Sequence, residues 1–209
     1  MFTGRKEAGM LLAKKLTKFK GKNVIVLAIP RGGVPVAYNI AKELDAKLDL
    51  IIPRKLPIPY EPEAGFGAVI NSTVVLNKKL LAALDLTHNE VRKIIKNVQE
   101  EVKRRIKKYR GNKLFPDLKN KTVILVDDGL ASGYTMLAAI KYIKKKAKKV
   151  VVAIPVASLS AAMEVKPKAD EFICLMLSSE PVFAVASFYE DFPDLTDEEV
   201  ISYLKEKSK

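Results

Sequence analysis

Short apolar runs alternate with amphipathic stretches along most of the chain, and this order predicts alternating strands and helices. The predicted strands are 23–28, 48–52, 123–126, 149–155 and 171–177. The predicted helices are 7–19, 34–44, 78–84, 88–109, 136–141 and 159–165, with a last helix beginning after Thr196. Strands that alternate with helices are typical of parallel sheets. We therefore expect an α/β fold with an open, mainly parallel, twisted sheet and helices on both faces.

The middle of the chain interrupts this order. Prolines and glycines precede two β-rich pieces, 67–71 and 73–76, which predict a hairpin. A long helix follows, opened by a Thr87/Glu90 capping box, and its apolar stripe is expected to pack against the body or a second copy of the chain. We expect one domain over residues 1–209, with a lid/hairpin and helical insertion at about 56–111 and a small hood with the C-terminal segment at about 172–209. A homodimer through the stripe is one expectation.

Basic residues exceed acidic ones, 37 against 24, which gives a formal net charge of +13. The lysines are spread over helices and mixed with acidic residues, as on the solvated surface of a thermophile-like protein. The positive field suits a nucleic acid, an anionic membrane or a polyanionic small ligand, such as one with several phosphates. Nucleic acid is the less favoured partner, because the long helix carries Glu90, Glu100 and Glu101 and lacks interleaved aromatic residues.

Cysteine usage and hydropathy bear on the compartment. Cys174 is the single cysteine, so the chain can form neither an internal disulfide nor a cysteine-based zinc site. No apolar run reaches the length needed to span a membrane. These features predict a cytoplasmic protein without a membrane partner.

The segment from Val123 to Thr135, VILVDDGLASGYT, combines a buried strand, two carboxylates and a loop of small residues. Asp127 and Asp128 follow the strand directly, at the end where open α/β sheets bind ligands. Neighbouring carboxylates repel unless a cation or hydrogen-bond donors lie between them, and sugar hydroxyls or a hydrated Mg²⁺ meet that need. The loop that follows can turn its N–H groups and hydroxyls toward a phosphate. Its residues are Gly129, Ala131, Ser132, Gly133, Tyr134 and Thr135.

Two other strand ends carry residues suited to anions. Arg31, Gly32 and Gly33 follow the first strand, and Arg54 and Lys55 follow the second. Glycines let backbone amides approach an anion, and arginine offers a planar set of donors for phosphate. A plain turn with a surface arginine remains an equally good explanation of the first of these motifs.

These motifs together resemble the type I phosphoribosyltransferases, and the whole chain resembles one subgroup of predicted members. The resemblance implies transfer of a 5-phosphoribosyl group from 5-phosphoribosyl 1-pyrophosphate (PRPP) to a nitrogen nucleophile of a small acceptor, with release of pyrophosphate. It implies that Asp127 and Asp128 are catalytic and bind the ribose, with Mg²⁺ held through water. The loop from Gly129 to Thr135 would bind the 5′-phosphate. The pyrophosphate would contact Arg31, Gly32, Gly33, Arg54 and Lys55, beneath a lid formed by the insertion.

The resemblance leaves the acceptor open. Hypoxanthine-guanine members carry an acidic residue where this chain has Ala131, so 6-oxopurine chemistry is in doubt while other nucleobases remain. Tyr134 replaces a small or basic residue and is expected to crowd the phosphate. Tyr189, in the hood, is a candidate for the acceptor pocket. Two other functions stay open: a PRPP-sensing regulator that binds nucleic acid, and an interaction protein with a vestigial site.

Overall fold

The computed structural model describes residues 1–207, without the side chains of residues 62 and 63. The helices are α1 (Arg5–Lys15), α2 (Gly33–Leu44), α3 (Lys78–Ala83), α4 (His88–Arg110), α5 (Tyr134–Ile143), α6 (Leu159–Val165) and α7 (Asp197–Lys207). The strands are β1 (Val24–Ala28), β2 (Lys47–Leu50), β3 (Arg54–Ile58), β4 (Glu61–Ile70), β5 (Thr73–Leu76), β6 (Thr122–Val126), β7 (Lys149–Ser158) and β8 (Glu171–Ser178). No helix within this described part is both long and apolar enough to cross a membrane.

The main sheet has five parallel strands in the order β2-β1-β6-β7-β8. Its central strands are apolar and buried because helices cover both faces. One core joins the sheet to α1, α2 and α7, and the other joins it to α5 and α6. Strand β2 lies on one side of β1, whereas β6, β7 and β8 lie on the other, so the strand order reverses between β1 and β6. Ligands of open α/β sheets bind at such a reversal, and the predicted α/β fold is confirmed.

The insertion contains more strand than the predicted hairpin. Strands β3, β4 and β5 form a separate antiparallel sheet, in which β4 begins at Glu61 and not at Gly67. Leu56 and Phe66 are fully buried in its core. The apolar stripe of α4 packs against this sheet. The stripe therefore has a partner within the chain, which removes the sequence-based reason for a dimer through it.

The predicted hood and C-terminal segment divide into three parts. Strand β8 completes the main sheet, and α7 packs against α2. The loop between them lies against the end of β6, where the Tyr189 hydroxyl donates to the Asp128 carbonyl at 2.6 Å. It is joined to the N-terminus, because Phe2 N–H donates to the Phe188 carbonyl at 2.8 Å and Glu190 N–H donates to the Phe2 carbonyl at 2.8 Å. This pairing brings the first residues of the chain to the candidate site.

Candidate active site

The loops after β1 and β6 touch at the point where the sheet reverses. Ile29 N–H donates to the Val126 carbonyl at 2.9 Å. A Cβ atom at position 32 would lie 1.9 Å from Asp128 Oδ2, so only glycine lets the first loop lie against the carboxylate. Two of the three predicted motifs therefore form one site.

The two carboxylates of this site have different surroundings. Asp128 N–H donates to Asp127 Oδ1 at 2.9 Å, and the Asp128 carboxylate forms an ion pair with Arg5, Nε to Oδ2, at 2.8 Å. Burial, and next the charge of Asp128, raise the pKa of Asp127 well above its usual range. Asp127 is thus the carboxyl group that would gain most from a bound cation or hydroxyl donor.

Arg5 is a site residue that the sequence analysis missed. Its side chain is 9% exposed. Besides Asp128, it donates from Nη1 to the Pro193 carbonyl at 2.7 Å, and its guanidinium carbon lies 3.6 Å from the centroid of the Phe192 ring. Nothing in the first turn of an amphipathic helix signals this role, because Asp128 lies 123 positions away.

A polar cavity of about 240 Å³ opens beside Asp128. Its lining includes four arginines, together with Pro30, Gly32, Asp128, Asp194 and Leu195; the arginines are Arg5, Arg31, Arg54 and Arg105. Burial, and then the charge of Arg105, lower the pKa of Arg54. Guanidinium groups packed this closely favour a ligand with several negative charges. We call this space the arginine cavity.

Arg105 is the second residue that the sequence analysis missed. It lies on α4, where Nε donates to Glu101 Oε1 at 2.7 Å. The side chains of Arg104 and Arg105 lower the pKa of Glu101 to about 2, so Glu101 remains charged and holds Arg105 in place. The long helix therefore contributes to the site as well as to packing.

Lys55, predicted to act with Arg54, lies elsewhere. The pair does not form a loop but begins β3, and successive side chains of a strand point to opposite faces. Arg54 lines the arginine cavity, whereas Lys55 lies over Gly65 of β4, where a Cβ atom would be 2.3 Å from Lys55 Cγ. The structure thus brings Arg31, Gly32 and Arg54 together, but not Lys55.

The loop after Asp128 is anchored on β7. Leu130 N–H donates to the Val156 carbonyl at 2.9 Å, and Ser158 Oγ donates to the Ala131 carbonyl at 2.7 Å. Gly133 has a φ of 75°, a left-handed conformation that favours glycine, and it opens α5. Ser132 and Thr135 donate no hydrogen bond to any described residue, either from their backbone N–H groups or from their hydroxyls. They are placed to bind a phosphate at a helix N-terminus.

Two tyrosines do not lie where their predicted roles require. The Tyr134 side chain lines a different cavity, together with Asn77, so it does not crowd the phosphate loop. Tyr189 is 5% exposed, and its hydroxyl donates to the Asp128 carbonyl at 2.6 Å. Its ring packs between Phe2 and Phe192. Tyr189 therefore supports Asp128 and offers almost no surface to an acceptor.

The raised pKa of Asp127 predicts how substitution changes stability with pH. Asn at position 127 keeps the acceptor for Asp128 N–H, and it removes a charge that the folded state disfavours. Below the ordinary carboxyl pKa of about 4, Asp127 of wild type is protonated in both the folded and the unfolded state and does not lower stability. As the pH rises from there toward the raised pKa, the carboxyl group ionises in the unfolded state first, and wild type loses stability. We expect Asp127→Asn to raise Tm at pH 7, by about 2–4 °C per kcal/mol, and to change it little near pH 4.

Thermal melts of both proteins at the two pH values provide the measurement. A Tm difference that is equal at pH 4 and pH 7 would show that titration of Asp127 is not its cause.

Sequence and structure comparisons identify relatives of this chain. The sequence pattern of the phosphoribosyl transferase domain matches residues 4–56 and 68–192. Rv0571c of Mycobacterium tuberculosis H37Rv, provisionally named a phosphoribosyl transferase, is 36% identical over 206 residues, which are 98% of this chain and 46% of that protein. The chain thus spans about half the length of this relative.

Solved structures agree with the sequence comparison. TT1426 from Thermus thermophilus is 35% identical with a TM-score of 0.80, covering 98% of each chain. A purine phosphoribosyltransferase from Pyrococcus horikoshii is 21% identical, with a TM-score of 0.50 over 92% of each chain, and it shows the shared fold alone. The sequence match takes in Arg5, both strand-end loops and the hood as far as Phe192. This chain belongs to the phosphoribosyl transferase family.

Proposed function

We propose that the protein transfers the 5-phosphoribosyl group of PRPP to a nitrogen nucleophile, such as a nucleobase, and releases pyrophosphate. The observation that carries the proposal is the meeting of three features around Asp128. An acidic pair suits ribose hydroxyls, a loop with unpartnered amides suits a phosphate, and the arginine cavity suits a diphosphate. PRPP contains these three groups in one molecule.

The proposed binding mode follows from the charges. The ribose hydroxyls bind Asp127 and Asp128, and the 5′-phosphate binds the loop from Ala131 to Thr135. The pyrophosphate enters the arginine cavity, where Arg31, Gly32 and Arg54 are joined by Arg5 and Arg105. Gly33 is the first residue of α2 and directly follows Gly32. Compared with the sequence-based set, this mode gains two arginines and loses Lys55.

The residues fit Mg²⁺ that arrives with the substrate. No group of three or more potential ligands among the described residues forms a metal cage. Two adjacent carboxylates, one with a raised pKa, suit a hydrated ion that is also held by substrate oxygens. When bound, Mg²⁺ would neutralise pyrophosphate charge through water held by Asp127 and Asp128.

The chemistry assigned to the protein is positioning and charge stabilisation. As the bond from C1 to the pyrophosphate oxygen breaks, the ribose becomes oxocarbenium-like and negative charge gathers on the leaving group. In the proposed binding mode the guanidinium groups of the arginine cavity face the departing pyrophosphate and stabilise its negative charge. A nitrogen lone pair of the acceptor then attacks C1 within a preformed arrangement.

The acceptor is constrained by one residue. Ala131 carries no group that could move a proton on a 6-oxopurine, so we expect adenine, orotate or other nitrogen nucleophiles to react in preference to hypoxanthine and guanine. Hood residues Phe183 and Phe188 form an aromatic pair near Val185, and they replace Tyr189 as acceptor candidates.

The test is incubation of the protein with Mg²⁺, PRPP and single acceptors, with measurement of pyrophosphate and nucleotide formation. We expect acceptor-dependent pyrophosphate release. PRPP alone at a hundred times its Kd should add about 2.7 kcal/mol to stability, seen as a rise in Tm. If PRPP gives neither heat nor a Tm change, the proposed donor is wrong. If it binds but no acceptor supports release, transfer is wrong and a sensor is supported.

Adjacent arginines on α4 provide a matched pair for this assay. Arg105 lines the arginine cavity, whereas Arg104 is 73% exposed and shares the same partner, Glu101. We expect Arg105→Ala to raise KM for PRPP about tenfold, the value of one charged hydrogen bond, and Arg104→Ala to change it less than about twofold. Equal effects of the two changes would remove Arg105 from the site.

A further inference from the structure

A second and larger cavity lies along α5 and shares no residue with the arginine cavity. This groove has a volume of about 710 Å³. Its walls come from the start of α3, the exposed side of α5 and the segment after α6. The lining residues on which its chemistry depends are Val75, Tyr134, Leu137, Ile140, Glu164 and a set of lysines. We call it the lysine groove.

The floor and the rim of the lysine groove differ in chemistry. The floor is apolar, with Leu137 and Ile140 of α5 beside Val75 of β5. The rim carries six lysines against the single acid Glu164; the lysines are Lys78, Lys79, Lys141, Lys144, Lys145 and Lys168. A ligand that covers both parts needs an apolar face and several negative charges.

Most of the rim charge is not neutralised by the protein itself. Lys144 pairs with Asp170 at 3.2 Å, and Lys141 Nζ donates to the Val74 carbonyl at 3.1 Å. Within the part of the chain that the structure describes, the other four lysines of the rim form no ion pair. Because like charges gathered at one cavity repel, an anion in the groove would be stabilised.

Tyr134 joins this groove to the phosphate loop. It is the first residue of α5 and follows Gly133 directly, yet its side chain lines the lysine groove beside Asn77. The motif residue that did not fit the expected PRPP site thus belongs to a different cavity. It adds an aromatic side chain to an apolar lining that is otherwise aliphatic.

We propose that the lysine groove is a second binding site and that its ligand is a free nucleotide, with the base on the apolar floor and the phosphates at the lysine rim. The volume is within the usual range for small-molecule sites. Inorganic phosphate would leave the floor uncovered, and a fatty acid would bring one charge to six lysines. An acidic protein helix is larger than the groove. A nucleotide matches its size, its floor and its charge together.

The direct test is equilibrium dialysis of wild type with radiolabelled ATP, in parallel with unlabelled inorganic tripolyphosphate and a thymidine oligonucleotide as competitors. We expect one saturable ATP site with a Kd below about 1 mM. Tripolyphosphate should compete at least about tenfold more weakly than ATP, because it lacks the base. Absence of saturable ATP binding overturns the proposal. Stronger binding of the oligonucleotide than of ATP also overturns it, in favour of nucleic acid.

Charge-matched variants locate the site. The double change Lys145→Glu with Lys168→Glu alters the rim, and Lys15→Glu with Lys107→Glu makes the same charge change at exposed lysines elsewhere. We expect the rim variant to weaken ATP binding at least about tenfold and the control pair to change it less than about threefold. Equal losses would mean a general field effect and overturn the proposal. Loss of ATP binding in Arg105→Ala but not in the rim variant would assign ATP to the arginine cavity and would also overturn the proposal.

A regulatory role rests on the proposed function, because it requires PRPP at the neighbouring loop. We expect saturating ATP to change the PRPP concentration that gives half of the maximal thermal shift, because Tyr134 and α5 connect the lysine groove to the phosphate loop. An unchanged midpoint rejects an effector role. If PRPP fails to bind with or without ATP, the proposed function fails while the dialysis result for the groove stands.

Discussion

Replacement of Asp128 by asparagine is expected to lower kcat/KM for PRPP by about tenfold to 150-fold, because a hydrogen bond to a charged group contributes about 1.5–3 kcal/mol. Asp128 is the carboxylate that touches Gly32, faces the arginine cavity and holds Arg5. Asparagine keeps the shape, but it removes the charge to which the proposed function assigns the binding of ribose hydroxyls. Steady-state release of pyrophosphate against PRPP concentration measures the loss.

Folding must be checked separately in this variant, since asparagine also leaves the guanidinium of Arg5 without its carboxylate. Thermal melts establish the temperature range in which the variant is folded, and turnover is compared within that range. Asp117→Asn is the matched control, because Asp117 is exposed and its carboxylate accepts from Lys119 N–H, which asparagine can also do. Asp128→Asn turnover within about threefold of the control would contradict ribose binding by Asp128.

The local part of the site could be predicted from the sequence. A strand, its terminal carboxylates and the following loop are contiguous, so the order of residues in 122–135 determines their arrangement. Parallel topology then brings the ends of β1 and β6 together, which accounts for the contact of Gly32 with Asp128. The fold class followed from the same alternation of strands and helices.

Residues that reach the site from distant segments could not be predicted. Arg5 and Arg105 each lie on an amphipathic helix rich in cations, and no spacing distinguishes them from Lys6 or Arg104. Their roles depend on how α1 and α4 pack. The prediction that grouped Lys55 with Arg54 rests on their adjacency after the second strand, whereas both residues lie at the start of β3. Strand pleating then separates the two cations.

The site is held together by groups from widely separated parts of the chain. The Asp128 carboxylate is held by Arg5 of α1, and its backbone carbonyl by Tyr189 of the hood. Val185 of the hood packs where a Cβ of residue 129 would lie, 2.5 Å from Cγ1, so Gly129 permits this closure. The hood and β6 therefore both hold the acidic pair in position.

Replacement of Arg5 by alanine is expected to destabilise the protein by about 3 kcal/mol, a fall in Tm of ~6–12 °C, because it leaves a mostly buried carboxylate unpaired. The Arg5 and Asp128 side chains are 9% and 15% exposed, so water screens this ion pair little. The loss of the contacts with Pro193 and Phe192 also loosens the hood. Lys6→Ala, at the next and exposed position of α1, should change Tm by less than about 2 °C.

Arg5→Lys separates the positioning role of Arg5 from its charge. Lysine keeps the positive charge, but one ammonium group cannot reproduce the planar set of donors that joins Asp128, Pro193 and the Phe192 ring. We expect Arg5→Lys to regain at least half of the lost Tm, yet to keep kcat at least about tenfold below wild type. Added guanidinium at millimolar concentration should raise the kcat of Arg5→Ala and leave Arg5→Lys unchanged. If kcat recovers in Arg5→Lys to the same extent as Tm, Arg5 acts only in folding, and the ion pair has no part in positioning Asp128 for the ribose.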